Sequence, residues 1–477
     1  ANGVRLVGRS FKYHRPRGIF SAGAEEMNAL VQLEHGAFTQ PNLRATQIEL
    51  YAGLKADSIN CWPSVGFDLW SINGVLGRLF PAGFYYKTFM WPSSLWPFYE
   101  RFIRRAAGLG HAPAEPDPDR YEIMNTYCDV LVVGGGPAGL SAAAAAGRTG
   151  ARVILADEQN EFGGALLNGG QEIDSLPAMD WVENTISDLQ DRSEVRLLPR
   201  TNVFGYFDHN FLVAVERGTD HLGPTNNKAP RQRYWRIRAK QVILGTGAIE
   251  RPLVFEGNDR PGVMLAGAVR TYINRYGIRP AKAAVIFTNN DGAYQTALDL
   301  ITAGARVHVV DIRSEINFDW EKQMRAAGIE ILKGCVVIGT RGTKRIKEVT
   351  IAEFRSDKQL RNPLRLDCDL VAVSGGWNPT VHLFSQSGGS LRYDDNKTCL
   401  IPDASRKPLT VVGSADGSFE LGNCLSEGLL AGADAAKITG FNSSTGNSKT
   451  PSTTFIPEQP IESITVVPSK NYPNGGP

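Results

Sequence analysis

Residues 128–158, CDVLVVGGGPAGLSAAAAAGRTGARVILADE, set the architecture that the rest of the chain completes. An apolar run of strand length, Val130 to Val133, meets Gly134, Gly136 and Gly139 in G-x-G-x-x-G spacing. A small-residue helix over Ala138–Arg148 follows, and a second apolar run ends in Asp157 and Glu158. Strand, glycine loop, helix, strand and terminal acid in that order predict a βαβ dinucleotide-binding unit. Gly134 permits the tight turn, Gly136 lets backbone approach a pyrophosphate, and Gly139 lets helix and strand close up. Pro137 and Ala138 complete the loop at a helix N-terminus whose unpaired N–H groups suit an anion. Asp157 or Glu158, about twenty residues on, is placed to accept hydrogen bonds from a ribose.

Downstream, Gly163 and Gly164 in FGGALLNGGQ suit a turn crossing close to a ligand, with Ala165 beside them. Trp181–Gln190 reads as a helix, and Val195–Leu198 with Thr201–Phe211 as strands of a hairpin-like excursion. The run Gln241–Pro252, QVILGTGAIERP, is a buried strand ending in a glycine turn that carries Thr246 and Gly247 past the dinucleotide. A second βαβ pattern starts at Ala283 and ends at Asp311, in the place of the ribose acid. Its three glycine places hold Thr288, Asn290 and Ala293, with only Gly292 nearby and Asp291 adding negative charge. This second unit is expected to keep its fold and not to bind nucleotide. The chain is expected to return to the first domain at Leu370, and Leu409–Leu421, LTVVGSADGSFEL, supplies a strand-to-helix turn whose Ala415, Asp416 and Leu421 are candidates for lining the cleft. The helix from about Asn423 to Thr439 follows.

The expected organisation is therefore 1–50, 51–125, a first dinucleotide domain over 126–252, an inserted second one over 253–369, a return over 370–440 and a Ser/Thr/Asn/Pro-rich linker over 441–477. The first segment is basic and turn-rich; Arg9, Lys12, His14, Arg15 and Arg17 fit an interface or a solvated face better than a nucleic-acid patch. The second is rich in aromatics: Trp62, Phe67, Trp70, Phe80, Phe84, Tyr85, Tyr86, Phe89, Trp91, Trp96, Phe98 and Tyr99. Prolines at 63, 81, 92 and 97 with Asp68, Arg78 and Lys87 exclude a membrane span, and such density suits packing between domains or subunits. His111–Asp119 is a proline-rich connection.

At 477 residues with 51 basic and 49 acidic side chains, the chain has room for two or three cores and a formal charge of only +2. That balance offers no concentrated basic surface for nucleic acid or an anionic membrane. Six scattered cysteines without C-x-x-C or metal-ligand spacing suit reduced structural thiols, and with no signal peptide or spanning run the expected location is cytoplasmic. The chain opens at Ala1 without methionine and closes on Asn474-Gly475-Gly476-Pro477, which suggests a fragment.

Two nested Rossmann units with an ATG-like turn and a late G-S-A-D turn resemble the pyridine nucleotide-disulfide oxidoreductase fold, an α/β architecture. With GRSFKYHRPRGIFSAGAEE ahead of them and the loop FTNNDGAY, the chain is similar to the alpha subunits of heterotetrameric sarcosine oxidases. In that resemblance the first residues are a ferredoxin-like remnant whose C-x4-C-x2-C positions hold Ser21, Glu26 and Ala29, so no iron–sulfur cluster is expected. It also implies a missing extreme N-terminus and a missing C-terminal folate-binding domain similar to aminomethyltransferases. The implied complex contains beta, gamma and delta subunits. It oxidises sarcosine, a small-molecule substrate, to glycine with hydrogen peroxide formation and one-carbon transfer to tetrahydrofolate. FAD and FMN are implied to be held mainly by the partner subunit, and NAD by this chain. NAD would lie near Gly134, Gly136, Ala138 and Gly139 for the phosphates, Asp157, Glu158 and Gln159 for the ribose, and Ala165, Val203 and Ala415 along the remainder. No catalytic residue and no metal ligand is expected here. The glycine loop itself does not choose between FAD and NAD, whereas the paired acids disfavour the 2′-phosphate of NADP. A related complex acting on proline, opines, N-methylglutamate or glycine, a self-contained FAD/NAD(P)H reductase, and a scaffold with empty folds are the alternatives.

Overall fold

The computed structural model describes residues 3–77, 91–224, 229–354, 359–441, 450–454, 456 and 459–468. Phe80, Phe84, Tyr85, Tyr86 and Phe89, with Arg78, Pro81 and Lys87, lie outside the described residues.

The first sheet is laid down by β1 (Tyr121–Val133), helix α1 (Pro137–Gly147), β2 (Val153–Ala156), β3 (Val195–Leu198), the antiparallel pair β4 (Thr201–Phe207) and β5 (Phe211–Arg217), and β6 (Gln232–Leu244). Its order is β3-β2-β1-β6-β5-β4, with β1, β2, β3 and β6 mutually parallel. The second sheet uses β7 (Val263–Leu265), β8 (Ala283–Thr288), helix α2 (Tyr294–Thr302), β9 (Arg306–Asp311), β10 (Glu330–Lys333) and β11 (Leu370–Ser374), in the all-parallel order β7-β11-β8-β9-β10. The chain then gives β12 (Leu409–Val411), parallel to the C-terminal end of β6, and helix α3 (Leu421–Ile438). A three-stranded antiparallel sheet, Cys335–Gly342, Ile346–Phe354 and Leu360–Asp367, leaves the second domain between β10 and β11.

β1 and β6 are longer than their apolar runs predict. Their N-terminal halves, YEIMNTYC and QRYWRIRA, carry polar side chains but pair in register from Tyr121↔Gln232 onward. β1 is buried from Cys128 to its end at Val133, and along Val130–Val133 a core lies against each face of the sheet. Helix α1 packs against α3 at backbone distance: a Cβ on Gly428 would stand 2.1 Å from the Ala138 carbonyl oxygen, and one on Gly432 2.1 Å from that of Ala142. Hence the alanine run 142–146, which offers no bulk on the face that α3 approaches.

The expected return at Leu370 is corrected. Leu370–Ser374 pairs with β7 and β8, so it is a central strand of the second sheet. Its apolar run is equally suited to either sheet, and only non-local pairing assigns it. The crossing back comes at Trp377–Pro379, which pairs antiparallel with Ala248–Glu250, and is completed by β12. The linker expected over 441–477 is corrected for its described parts as well. Ile173 bridges Thr453, Val254 bridges Val466, and Val467 is buried in the second core.

The first sixty residues bracket both domains. Arg17 pairs with Asp259 at 2.5 Å and the Phe20 carbonyl accepts from Leu265 N in β7, while Glu49 takes a two-pronged ion pair from Arg200. The basic cluster is divided: Arg9 and His14 are buried, with His14 Nδ1 2.8 Å from Asp68, while half-buried Lys12 and exposed Arg15 lie over the Tyr13 ring. In the aromatic segment Trp62, Phe67, Trp91, Phe98 and Phe102 are exposed.

Candidate dinucleotide site

The loop between β1 and α1 separates two roles for glycine. Gly134 has φ +102°, and a Cβ there would stand 2.2 Å from the Gly245 carbonyl oxygen; one on Gly139 would stand 1.8 Å from that of Gly134. Both are demanded by the chain itself. A Cβ on Gly136 would meet only the Gly164 Cα, at 3.9 Å, so no packing inside the chain requires this glycine. Gly136 is also the residue that caps α1, without a side chain on the helix N-terminus and with Pro137 in the first turn. By contrast α3 is closed by Glu420, which accepts from the N–H groups of Gly422 and Asn423 at 2.8 Å each. A bare helix N-terminus behind an unobstructed glycine fits a pyrophosphate.

Asp157 braces this loop. Its Oδ2 accepts from Gly135 N at 2.6 Å and its Oδ1 from Gln159 N at 2.7 Å. Burial pushes the carboxyl up to about 6 in spite of both donors. Glu158 is the more open acid, receiving Asn202 Nδ2 at 3.0 Å on its carboxylate and Arg217 at 2.6 Å on its carbonyl. Thr201 N donates to the Asp157 carbonyl at 2.7 Å, which sets the start of β4, and Val203 at its bulge, beside the acid turn. Across the loop Gly164, with φ +55°, would place a Cβ 2.8 Å from the Gly136 Cα, and Ala165 is exposed on the turn Gly164–Asn168.

The late turn Gly413–Asp416 reaches the same place: a Cβ on Gly413 would stand 2.8 Å from the Ala138 Cβ. Ala415 itself is fully buried, so its methyl is core. Burial, with the charge of Glu427 beside it, pushes the Asp416 carboxyl up to about 6. Leu421 starts α3 and packs on the first core. Thr246 and Gly247 are tied to the domain crossing: Thr246 Oγ1 donates to the Thr380 carbonyl at 2.7 Å, and the Gly247 carbonyl accepts from Thr380 N at 2.9 Å.

Sequence reasoning missed the arginines. Arg275, from the second domain, donates to Gln159 Oε1 at 2.7 Å, Asn160 Oδ1 at 3.1 Å and Glu161 Oε2 at 2.8 Å. Arg217 divides its guanidinium between the Gln47 and Glu158 carbonyls. No spacing in the chain announces contacts over such separations.

The second βαβ turn is closed on itself. Thr288 Oγ1 and the Asn290 backbone exchange hydrogen bonds, and Asn290 Oδ1 takes Gly292 N. Asp311 is fully buried, receiving Arg313 and the Tyr294 hydroxyl at 2.7 Å, and Arg313 also holds Asp291 at 2.7 Å. The acid and the loop are engaged with each other. In the N-terminal segment Ser21, Glu26 and Ala29 do come together, around a carboxylate. Buried Glu26 accepts from the N–H groups of Phe20, Ser21 and Asn28 at 2.6–2.7 Å and of Ala29 at 3.2 Å.

All six cysteines are free, and burial pushes those at 128, 368 and 424 up to about 12, so none of these three is an activated thiolate. Among the described residues no group of three or more His, Cys, Asp or Glu could hold a metal, and no helix is long and apolar enough to cross a membrane.

Residues 128–405, which include both glycine-turn units, match the family described as pyridine nucleotide-disulphide oxidoreductase. The chain belongs to that family. Residues 1–60 match a second description, 2Fe-2S iron-sulfur cluster binding domain. Among relatives of this pyridine nucleotide-disulphide oxidoreductase chain, the sarcosine oxidase alpha subunit of Rhizobium meliloti (strain 1021) is 46% identical over 90% of the chain and 42% of its own length. That of Corynebacterium sp. (strain P-1) is 38% identical over 99% of the chain and 44% of its own length. The chain thus spans less than half the length of these relatives. An opine oxidase subunit of Rhizobium meliloti is 27% identical over 66% of the chain and 62% of its own length. Among solved structures, L-proline dehydrogenase from P. horikoshii shares the fold at 18% identity and TM-score 0.57, covering 92% of this chain and 68% of its own.

Proposed function

We propose that this chain is the NAD-binding part of the alpha subunit of a multi-subunit, flavin-dependent sarcosine oxidase. The observation that carries this reading is the asymmetry of the two βαβ turns: Gly136 opens one, while Asp291, Arg313 and Asp311 close the other. A single competent dinucleotide site suits a subunit of a larger electron-transfer assembly better than a self-contained reductase, which needs a flavin site and a nicotinamide site together. The names and identities of the alpha-subunit relatives support sarcosine over opines.

In this reading the α1 N-terminus and Gly136 hold the pyrophosphate, and Glu158 accepts from the adenosine ribose while Asp157 keeps the loop in shape. NADP is disfavoured because Arg275 and Arg217 are already engaged by Gln159, Asn160, Glu161 and two carbonyls, leaving the acids to face a 2′-phosphate. NAD bound here supplies either a redox couple or a structural wedge, and this chain contributes the groups that bind it. FAD and FMN, the oxidation of sarcosine to glycine with peroxide formation, and one-carbon transfer to tetrahydrofolate belong to the assembly with beta, gamma and delta partners. The cluster-less reading of the N-terminal segment rests on Ser21, Glu26 and Ala29, which stand where the three thiolates would be; the Glu26 carboxylate, which takes up the N–H groups of the loop, supports it.

Peroxide formation from sarcosine tests the proposal. With its partner subunits the full-length chain is expected to support turnover, and alone with added flavin to give none. Sarcosine oxidation by the chain alone at a normal enzymatic rate would contradict the subunit reading.

A further inference from the structure

The turn of the second βαβ unit is engaged by another part of the chain. Asn289, fully buried, donates through Nδ2 to the Glu462 carbonyl at 2.7 Å, and its own carbonyl accepts from Glu462 N at 3.1 Å. Asp291 Oδ2 accepts from Gln459 N at 3.0 Å, while its other oxygen holds Arg313. Further along, Val254 N donates to the Thr465 carbonyl and Val467 N to the Val254 carbonyl, both at 2.8 Å, a short parallel ladder. Val467 is 2% exposed and joins the core of the second domain, with Ile464 packed against it.

The chemistry of the turn suits this occupant and not a nucleotide. A phosphate offers acceptors only, and a turn that binds it presents N–H donors. Here the turn presents a donor, the Asn289 amide, together with two acceptors, the Asn289 carbonyl and a carboxylate oxygen of Asp291. A peptide backbone supplies both kinds of group at one spacing; a pyrophosphate would bring no donor to either acceptor and would meet the Asp291 carboxylate with like charge. The apolar side chains that follow, Ile464 and Val467, add a hydrophobic anchor that a nucleotide lacks.

We infer that the second βαβ unit has become a peptide-docking site, and that its occupant is this chain's own segment 459–467. The docking holds whatever the first site binds, and it fixes the route by which the polypeptide leaves the two domains.

Hydrogen exchange on the full-length protein, alone and with added NADPH, tests this. In the wild type, segments 285–292 and 459–467 are expected to be protected, and NADPH to change neither. Asn289→Ala, which removes one donor, and Val467→Asp, which removes the anchor, are each expected to speed exchange in both segments together by about tenfold or more, with 132–141 unchanged. Exchange of 459–467 at the rate of a free peptide in the wild type would overturn the inference. So would NADPH that releases 459–467 while protecting 285–292, because the segment would then be a lid on a working nucleotide site. Nucleotide content of the first site, read on the same samples, keeps this outcome separate from the NAD proposal.

Discussion

Glu26 is one carboxylate receiving four backbone N–H groups in a segment whose family description is a cluster-binding domain. Its replacement by Gln leaves one acceptor oxygen where there were two and removes the charge, so at least one buried N–H loses its partner. The expected cost is about 2–4 kcal/mol, read as early proteolysis within the first sixty residues, and iron or acid-labile sulfide should stay absent from the wild type. Glu250 gives a pH-dependent case. It is buried at the domain crossing, accepts from Gly267 N at 2.7 Å, and burial pushes its carboxyl up to about 7 against an ordinary 4.5. A carboxyl with a raised folded pKa binds its proton more tightly when folded, so ionisation disfavours the fold above pH 7, and the penalty fades as pH falls towards 4.5. Glu250→Gln should therefore raise stability at pH 8 by up to about 3 kcal/mol, with the gain vanishing near pH 4.5; an equal effect at both pH values in thermal melts would refute the assignment. Neither role was visible in the sequence, since burial and N–H partners are not written in local spacing.

At the scale of elements, the β1–α1–β2 unit was legible from Val130 onward, because apolar strand, glycines, alanine helix and terminal acid are each a local signal, whereas the polar first half of β1 was not, since only its pairing with β6 makes it a strand. β11 was not, because a buried parallel strand carries the same apolar run in whichever sheet it joins. The glycine loop makes a paired prediction. Gly139→Ala places a methyl within the Gly134 carbonyl and should prevent normal folding of the unit. Gly136→Ala meets only ordinary contact and should leave the melting of the ligand-free protein within about 0.5 kcal/mol of wild type while abolishing dinucleotide retention. Between helices, Gly432→Ala pushes a methyl onto the Ala142 carbonyl oxygen and should destabilise by about 1–3 kcal/mol through forced separation of α1 and α3.

For the whole molecule, the two dinucleotide folds and the resemblance carried by their motifs were available from sequence, whereas the ties between domains were not. Glu49 with Arg200, Arg17 with Asp259, Arg275 with Gln159, and the docked segment 459–467 each join residues far apart in the chain. The composition of residues 441–477 signalled a linker, since the few apolar residues that anchor it, Ile464 and Val467, form no periodic pattern. Together these ties hold the open first turn and the closed second turn in one body, and the account built on them is that each chain carries one dinucleotide, NAD, at the Gly136 turn. The most direct measurement is release of bound ligand by heat from the full-length protein, with its identity and amount determined per chain. The account predicts one NAD per chain in the wild type and none in a folded Gly136→Ala variant; FAD released from this chain without any nicotinamide compound, or two nucleotides per chain, would contradict it.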